Sequence, residues 1–132
     1  MDYFKINGKK YDVSVIEIKE SFNILYSSKT GRTMATGARM TLDPLGTFFG
    51  HNVTVKRIPG KEKEYDEFYT KVSTPSYTGM KVEVAHKQKV LKYDAYISNG
   101  ERTLERVASD GTLLWGEMTV NIVPMEAQVL PK

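Results

Sequence analysis

Apolar residues recur mainly at every second position along this chain, the period of a half-buried strand. Met80, Val82 and Val84 alternate with Lys81 and Glu83, and Leu91, Tyr93, Ala95 and Ile97 repeat the pattern against Lys92, Asp94 and Ser98. The two runs predict a hairpin linked through His86-Lys87-Gln88. Met118, Val120 and Ile122 alternate with Thr119 and Asn121 until Pro124, which lacks the N–H a ladder needs. A second hairpin is expected at Asp110-Gly111, between Leu104 to Ala108 and Leu113 to Val123, because Asp-Gly suits a tight type I′ turn. By the same reasoning Asn7-Gly8 predicts an N-terminal hairpin between Tyr3 to Ile6 and Lys9 to Val13. The alternation Tyr11, Val13, Val15 then changes phase to Ile16 and Ile18, which would flip the buried face unless a bulge intervenes near Val15. Val53 and Val55 give a further strand and Gly37 to Leu42 another. Asp43-Pro44-Leu45-Gly46 reads as a turn between them.

One segment changes period. Tyr65, Phe68, Tyr69 and Val72 fall at i, i+3, i+4 and i+7 after the Pro59-Gly60 breaker, with Lys61, Glu62, Lys63, Glu64 and Glu67 on the other side. Acids near its start and Lys71 near its end suit the helix dipole. The expected fold is therefore mainly β (α+β): an antiparallel β-sandwich or small barrel with one amphipathic helix packed on it. No linker composition or repeat divides residues 1–132, so one domain is expected.

Composition narrows the chemistry. Over 132 residues, 19 Lys and Arg against 16 Asp and Glu leave a net charge of +3, too little to demand a nucleic-acid partner. Cysteine is absent, which removes thiolate nucleophiles, disulfides and Cys-ligated metals. No run approaches the roughly 20 apolar residues of a membrane-spanning helix, and Met1-Asp2-Tyr3-Phe4-Lys5 does not read as a secretory leader, so synthesis and retention in a cytoplasm are expected. His51 and His86 fall in expected connections without a second ligand at metal spacing, and read as turn residues. The glycines form no phosphate-binding fingerprint and no Gly-x-Ser-x-Gly element is present. Glu62, Glu64, Asp66 and Glu67 read as a solvated helix face, and Trp115 as a core anchor. No catalytic residue, cofactor or metal is expected. A binding alternative rests on Lys81, Lys87, Lys89 and Lys92 interleaved with Tyr77, Tyr93 and Tyr96, which could suit a small barrel for single-stranded nucleic acid or an oligosaccharide.

The order of segments resembles a family of short structural proteins in tailed bacteriophages and prophages of Gram-positive bacteria. The resemblance is carried by Val15 to Lys19, Gly46 to Val55, Glu64 to Lys71, Asp94 to Asn99 and, most distinctively, the run from Trp115 through Pro124 to Met125. It implies a virion protein of the tail, in a distal-tail or baseplate ring, with a head–tail joining protein as the variant in location. Its partners would be copies of itself and other tail proteins. Two segments suit such contacts: the aperiodic stretch Ser27 to Ala38, and a C-terminal arm from Pro124 to Lys132 able to extend along a neighbour. Candidate subunit-contact residues are Lys29, Arg32, Met34, Arg39, Met125, Val129 and Leu130.

Overall fold

A computed structural model of the chain describes residues 3–32, 37 and 39–132. Its strands are β1 (Phe4–Ile6), β2 (Ser14–Tyr26), β3 (Gly31–Arg32), β4 (Met40–Thr41), β5 (Pro44–Lys56), β6 (Met80–His86), β7 (Lys89–Val107) and β8 (Leu113–Pro124), with one helix, α1 (Glu62–Ser73), between β5 and β6. Six strands form one antiparallel sheet in the order β1-β6-β7-β8-β5-β2, and β3 pairs with β4 in a separate ribbon. The fold class is the mainly β one expected, with a single helix packed on an antiparallel sheet. The sheet curls: β2 and β6 are not neighbours in it, yet Glu20 on β2 lies 2.6 Å from His86 on β6. Curling puts the apolar stripes of the strands on one concave side, where Val53, Val55, Val82, Val84, Tyr93, Ala95, Met118, Val120 and Ile122 form the core.

The helix closes that core. Its Tyr65, Phe68 and Val72 are buried, and the Phe68 ring meets Phe4 and Tyr11 edge-on at 5.8 and 5.5 Å. The Tyr65 hydroxyl donates to the Gly116 carbonyl at 2.7 Å. From the sheet, the Arg102 guanidinium lies over Tyr69 and Trp115, 3.7 and 4.0 Å from the ring centres, and reaches the Asp66 carboxylate at 3.2 Å. Trp115 is partly buried against the core, at the border where helix and sheet meet.

Several local expectations need correction. Asn7 and Gly8 do adopt positive φ angles, 51° and 80°, but the residues after them make only the bridge Ile6 to Lys9. β1 takes β6 as its partner instead, with Ile6 opposite Val82. Burial explains the choice, since pairing with β6 places Phe4 and Ile6 in the core. Gly111 has φ 89° while Asp110 stays in the ordinary region, and Gly111 N–H donates to the Ala108 carbonyl at 2.9 Å. This is a three-residue loop ending in a left-handed glycine, and not the two-residue type I′ turn. Pro44 to Gly46 belong to β5 and not to a turn. Of the expected strand Gly37 to Leu42, Ala38 lies outside the described residues, and among the others only β4 is strand. The bulge does fall where the phase changes: the β2–β5 register shifts between Val15 and Glu17.

The C-terminal residues return to the sheet. Beyond the last β8 partner the flank of β5 would be open, and the arm fills it: Thr47 N–H donates to the Val129 carbonyl at 2.9 Å. The Gln128 side chain satisfies both backbone groups of Phe49, at 3.0 Å each. Gly46 makes this possible. A Cβ there would sit 2.6 Å from Ala127 Cβ and 2.9 Å from the Val129 carbonyl oxygen, and its φ of 151° disfavours a side chain. Gly46→Ala is therefore expected to lift the arm and cost about 1–3 kcal/mol. Loss of hydrogen-exchange protection at Thr47 and Phe49, with protection at Val120 retained, is the measurement that checks it.

Candidate assembly surface

β2 is a strand of 13 residues, and all of it is exposed except the half-buried Ile18. Among the described strands it pairs only with β5, along one edge, and its other edge carries no strand partner. Val15, Ile16, Phe22, Ile24, Leu25 and Tyr26 are exposed on it, Phe22 by 70%. A long apolar edge strand is a template for pairing, which monomeric proteins usually blunt with charge, proline or a covering loop. Here the middle and far half, Ser21 to Tyr26, carry no charged residue at all.

A second open edge lies at the opposite side. β6 covers β7 only from Lys89 to Ala95, while β7 continues to Val107 against β8. Beyond Ala95 the outer edge of β7 has no partner among the described strands. Strands β2, β5, β8 and β7 therefore make a four-stranded plate whose two outer edges have no partner among the described strands, with α1 lying against β7 near Arg102. Its convex face is polar, as the registers show: Lys19, Asn52, Asn121 and Asn99 stand in one row across the four strands, and Glu17, Thr54, Thr119 and Glu101 in the next. The Thr54 and Thr119 hydroxyls meet at 3.3 Å, and Asn121 Nδ2 donates to Ser98 Oγ at 2.7 Å. The opposite face of the same strands carries the core.

The residues expected to make contacts are spread over two regions. Lys29, Arg32 and Arg39 are exposed on or beside the ribbon that continues the β2–β5 hairpin. The base of that ribbon is ordered by Ser27 Oγ donating to the Asp43 carboxylate, and by Asp43 N–H donating to Thr30 Oγ1 at 2.8 Å. Met34 lies outside the described residues. Met125, Val129 and Leu130 present exposed side chains on the C-terminal arm, whose backbone at Gln128 and Val129 is already bound to Thr47 of the same chain. β2, by contrast, contributed none of the expected contact residues. Its mixed phase around Val15 marks the bulge, and the uncharged run Ser21 to Tyr26 is the signal for an open edge.

Neither histidine is a turn residue. His51 lies in β5 and His86 ends β6, both on the buried side. Glu20 Oε2 accepts from both, at 2.8 Å from His51 Nε2 and 2.6 Å from His86 Nδ1. His51 Nδ1 lies 2.7 Å from the Tyr93 hydroxyl, and Phe49 packs on His86 with ring centres 4.7 Å apart. Burial lowers the pKa of His51 despite the neighbouring carboxylate, and a protonated His86 would lower it further. Glu20 is held below its ordinary value: burial opposes this, but the hydrogen bonds from His86 and His51 outweigh it. Burial, reinforced by the Glu20 charge, raises the Tyr93 phenol and keeps it protonated. No group of acids and histidines able to hold a metal ion occurs among the described residues.

For the binding alternative, Tyr93 is buried and therefore offers no face to a base, while Tyr77 and Tyr96 are exposed. Lys81 is paired with Asp94 at 3.7 Å. No helix of the described chain is long and apolar enough to cross a membrane. Comparison with protein-family models and with curated proteins returned no match.

Proposed function

We propose that this protein is a structural subunit of a bacteriophage tail, acting in a distal-tail or baseplate ring by assembly with copies of itself and with other tail proteins. The observation that carries the reading is β2, an edge strand of 13 residues, almost wholly exposed and uncharged over its far half. Its natural occupant is the other open edge of a neighbouring copy, Tyr96 to Val107 of β7. Each strand of the plate is antiparallel to the next, so β7 runs opposite to β2. A rotation about an axis lying roughly along the strands would bring the two together as an antiparallel pair. The two edges differ, so the contact is head-to-tail, the type that closes into a ring when the rotation allows.

In such a ring the polar rows of Asn and Thr would form one continuous wall, with the helix and core on the other side of the sheet. The ribbon at the tip of the β2–β5 hairpin and the exposed side chains of Met125, Val129 and Leu130 would serve contacts to other subunits. The test is mass measurement in solution and imaging of concentrated protein: rings or stacked rings are expected. Deleting residues 29–36 should weaken association with tail partners while leaving the monomer folded, as judged by an unchanged unfolding transition of the sheet.

A further inference from the structure

We propose that Glu20, His51, His86 and Tyr93 form an acid-sensitive latch, which holds β2 against β6 across the open side of the curled sheet and releases it when His51 takes up a proton. The latch is a property of the single chain and goes beyond the assembly reading. Its geometry is a chain of hydrogen bonds spanning four strands, from Tyr93 on β7 through His51 on β5 and Glu20 on β2 to His86 on β6. β2 and β6 share no ladder, and the carboxylate of Glu20 joins them directly through His86.

The protonation states follow from donor counting. Glu20 is a carboxylate and can only accept, so His51 Nε2 and His86 Nδ1 must each carry a proton. His51 then accepts at Nδ1 from the Tyr93 hydroxyl, and the neutral imidazole is satisfied at both nitrogens. Adding a proton to His51 turns Nδ1 into a donor. The buried Tyr93 hydroxyl must rotate its own proton away to accept, and Glu20 must neutralise a cation while still binding His86.

The titratable groups facing one another are these four, one from each of β2, β5, β6 and β7. Phe49, the remaining ring against His86, is uncharged, and Lys87 and Lys89 beside His86 are exposed to solvent. The sign of the pH effect is set by His51. Its pKa is lowered in the closed state, so the open state binds the extra proton first, and closure is complete above the ordinary histidine value of about 6.5 and weakens as pH falls below it.

Amide hydrogen exchange of the intact protein, corrected for the intrinsic rate, tests the latch. Between about pH 6.5 and pH 5 the protection of residues 18–22 of β2 and 84–86 of β6 should fall by about tenfold, while Val53 and Val120 change far less. His51→Gln keeps one donor toward Glu20 and one acceptor for Tyr93 but cannot titrate there, and should flatten the step. Equal protection at both pH values, or a step that persists in His51→Gln, would overturn the latch. Nitrogen NMR of the wild-type imidazoles supplies an arm that needs no variant. His51 should be the neutral Nε2–H form near neutral pH, and finding it as the Nδ1–H form or as imidazolium would overturn it equally.

Discussion

Replacing Phe68 by Ala is expected to destabilise the protein by about 3–5 kcal/mol, the usual cost of emptying a buried phenylalanine site. The side chain is 0% exposed and sits where three segments meet: its ring packs edge-on against Phe4 of β1 and against Tyr11. Those partners cannot collapse into the void, because Phe4 is held by the pairing of β1 with β6. A domain of this kind is typically stable by about 5–15 kcal/mol, so the loss takes a large share of the total. Denaturant unfolding followed by circular dichroism should show the midpoint falling with little change in slope. A change below about 1 kcal/mol would mean that the helix is not seated on the sheet as described.

The second large effect concerns assembly. Phe22→Lys combined with Ile24→Lys places two cations on the open edge strand, the device by which edge strands are kept solitary. Both positions are exposed in the single chain, so its own stability should move by no more than about 0.5 kcal/mol. If each side chain is buried on association it contributes roughly 1.5–3 kcal/mol there, and losing both would weaken the contact by more than about a hundredfold. Sedimentation or light scattering across a concentration series measures this. Retention of wild-type association in the double variant would show that β2 is not the surface used.

The sequence speaks clearly where a segment's own period decides its structure. Tyr65, Phe68 and Val72 mark the helix, and Met80, Val82 and Val84 mark β6, because one face of each is buried in the final fold. It speaks less clearly where partner choice is decided at long range. Asn7-Gly8 does turn, yet β1 gains more by joining β6, 74 residues or more away, than by closing its own hairpin, and no local pattern records that preference. Pro44 was misleading for a related reason. A proline is tolerated at the first residue of a strand, where its missing N–H is not required.

The histidines show what a closer reading of parity could have recovered. His51 shares its face with Val53 and Val55, and His86 with Met80, Val82 and Val84, so both continue buried stripes past the point where the hydrophobic residues stop. Their partner was not legible. Glu20 sits on β2 after the bulge, and its approach to His86 depends on the curl of the whole sheet. The open edges were likewise hidden. That β6 ends before β7 does, and that no described strand pairs with the outer edge of β2, are facts of topology which a strand pattern does not contain.

Cross-linking between copies tests the pairing of opposite edges most directly. The natural chain has no cysteine, so Ser21→Cys on β2 and Glu101→Cys on β7 can be made in separate proteins and mixed with a short thiol-reactive cross-linker. Pairing of β2 with β7 of the next copy predicts that the mixture yields the mixed dimer and that neither variant alone yields its own. Cross-linking of Ser21→Cys to itself, or a monomer at every concentration with no mixed product, would contradict it.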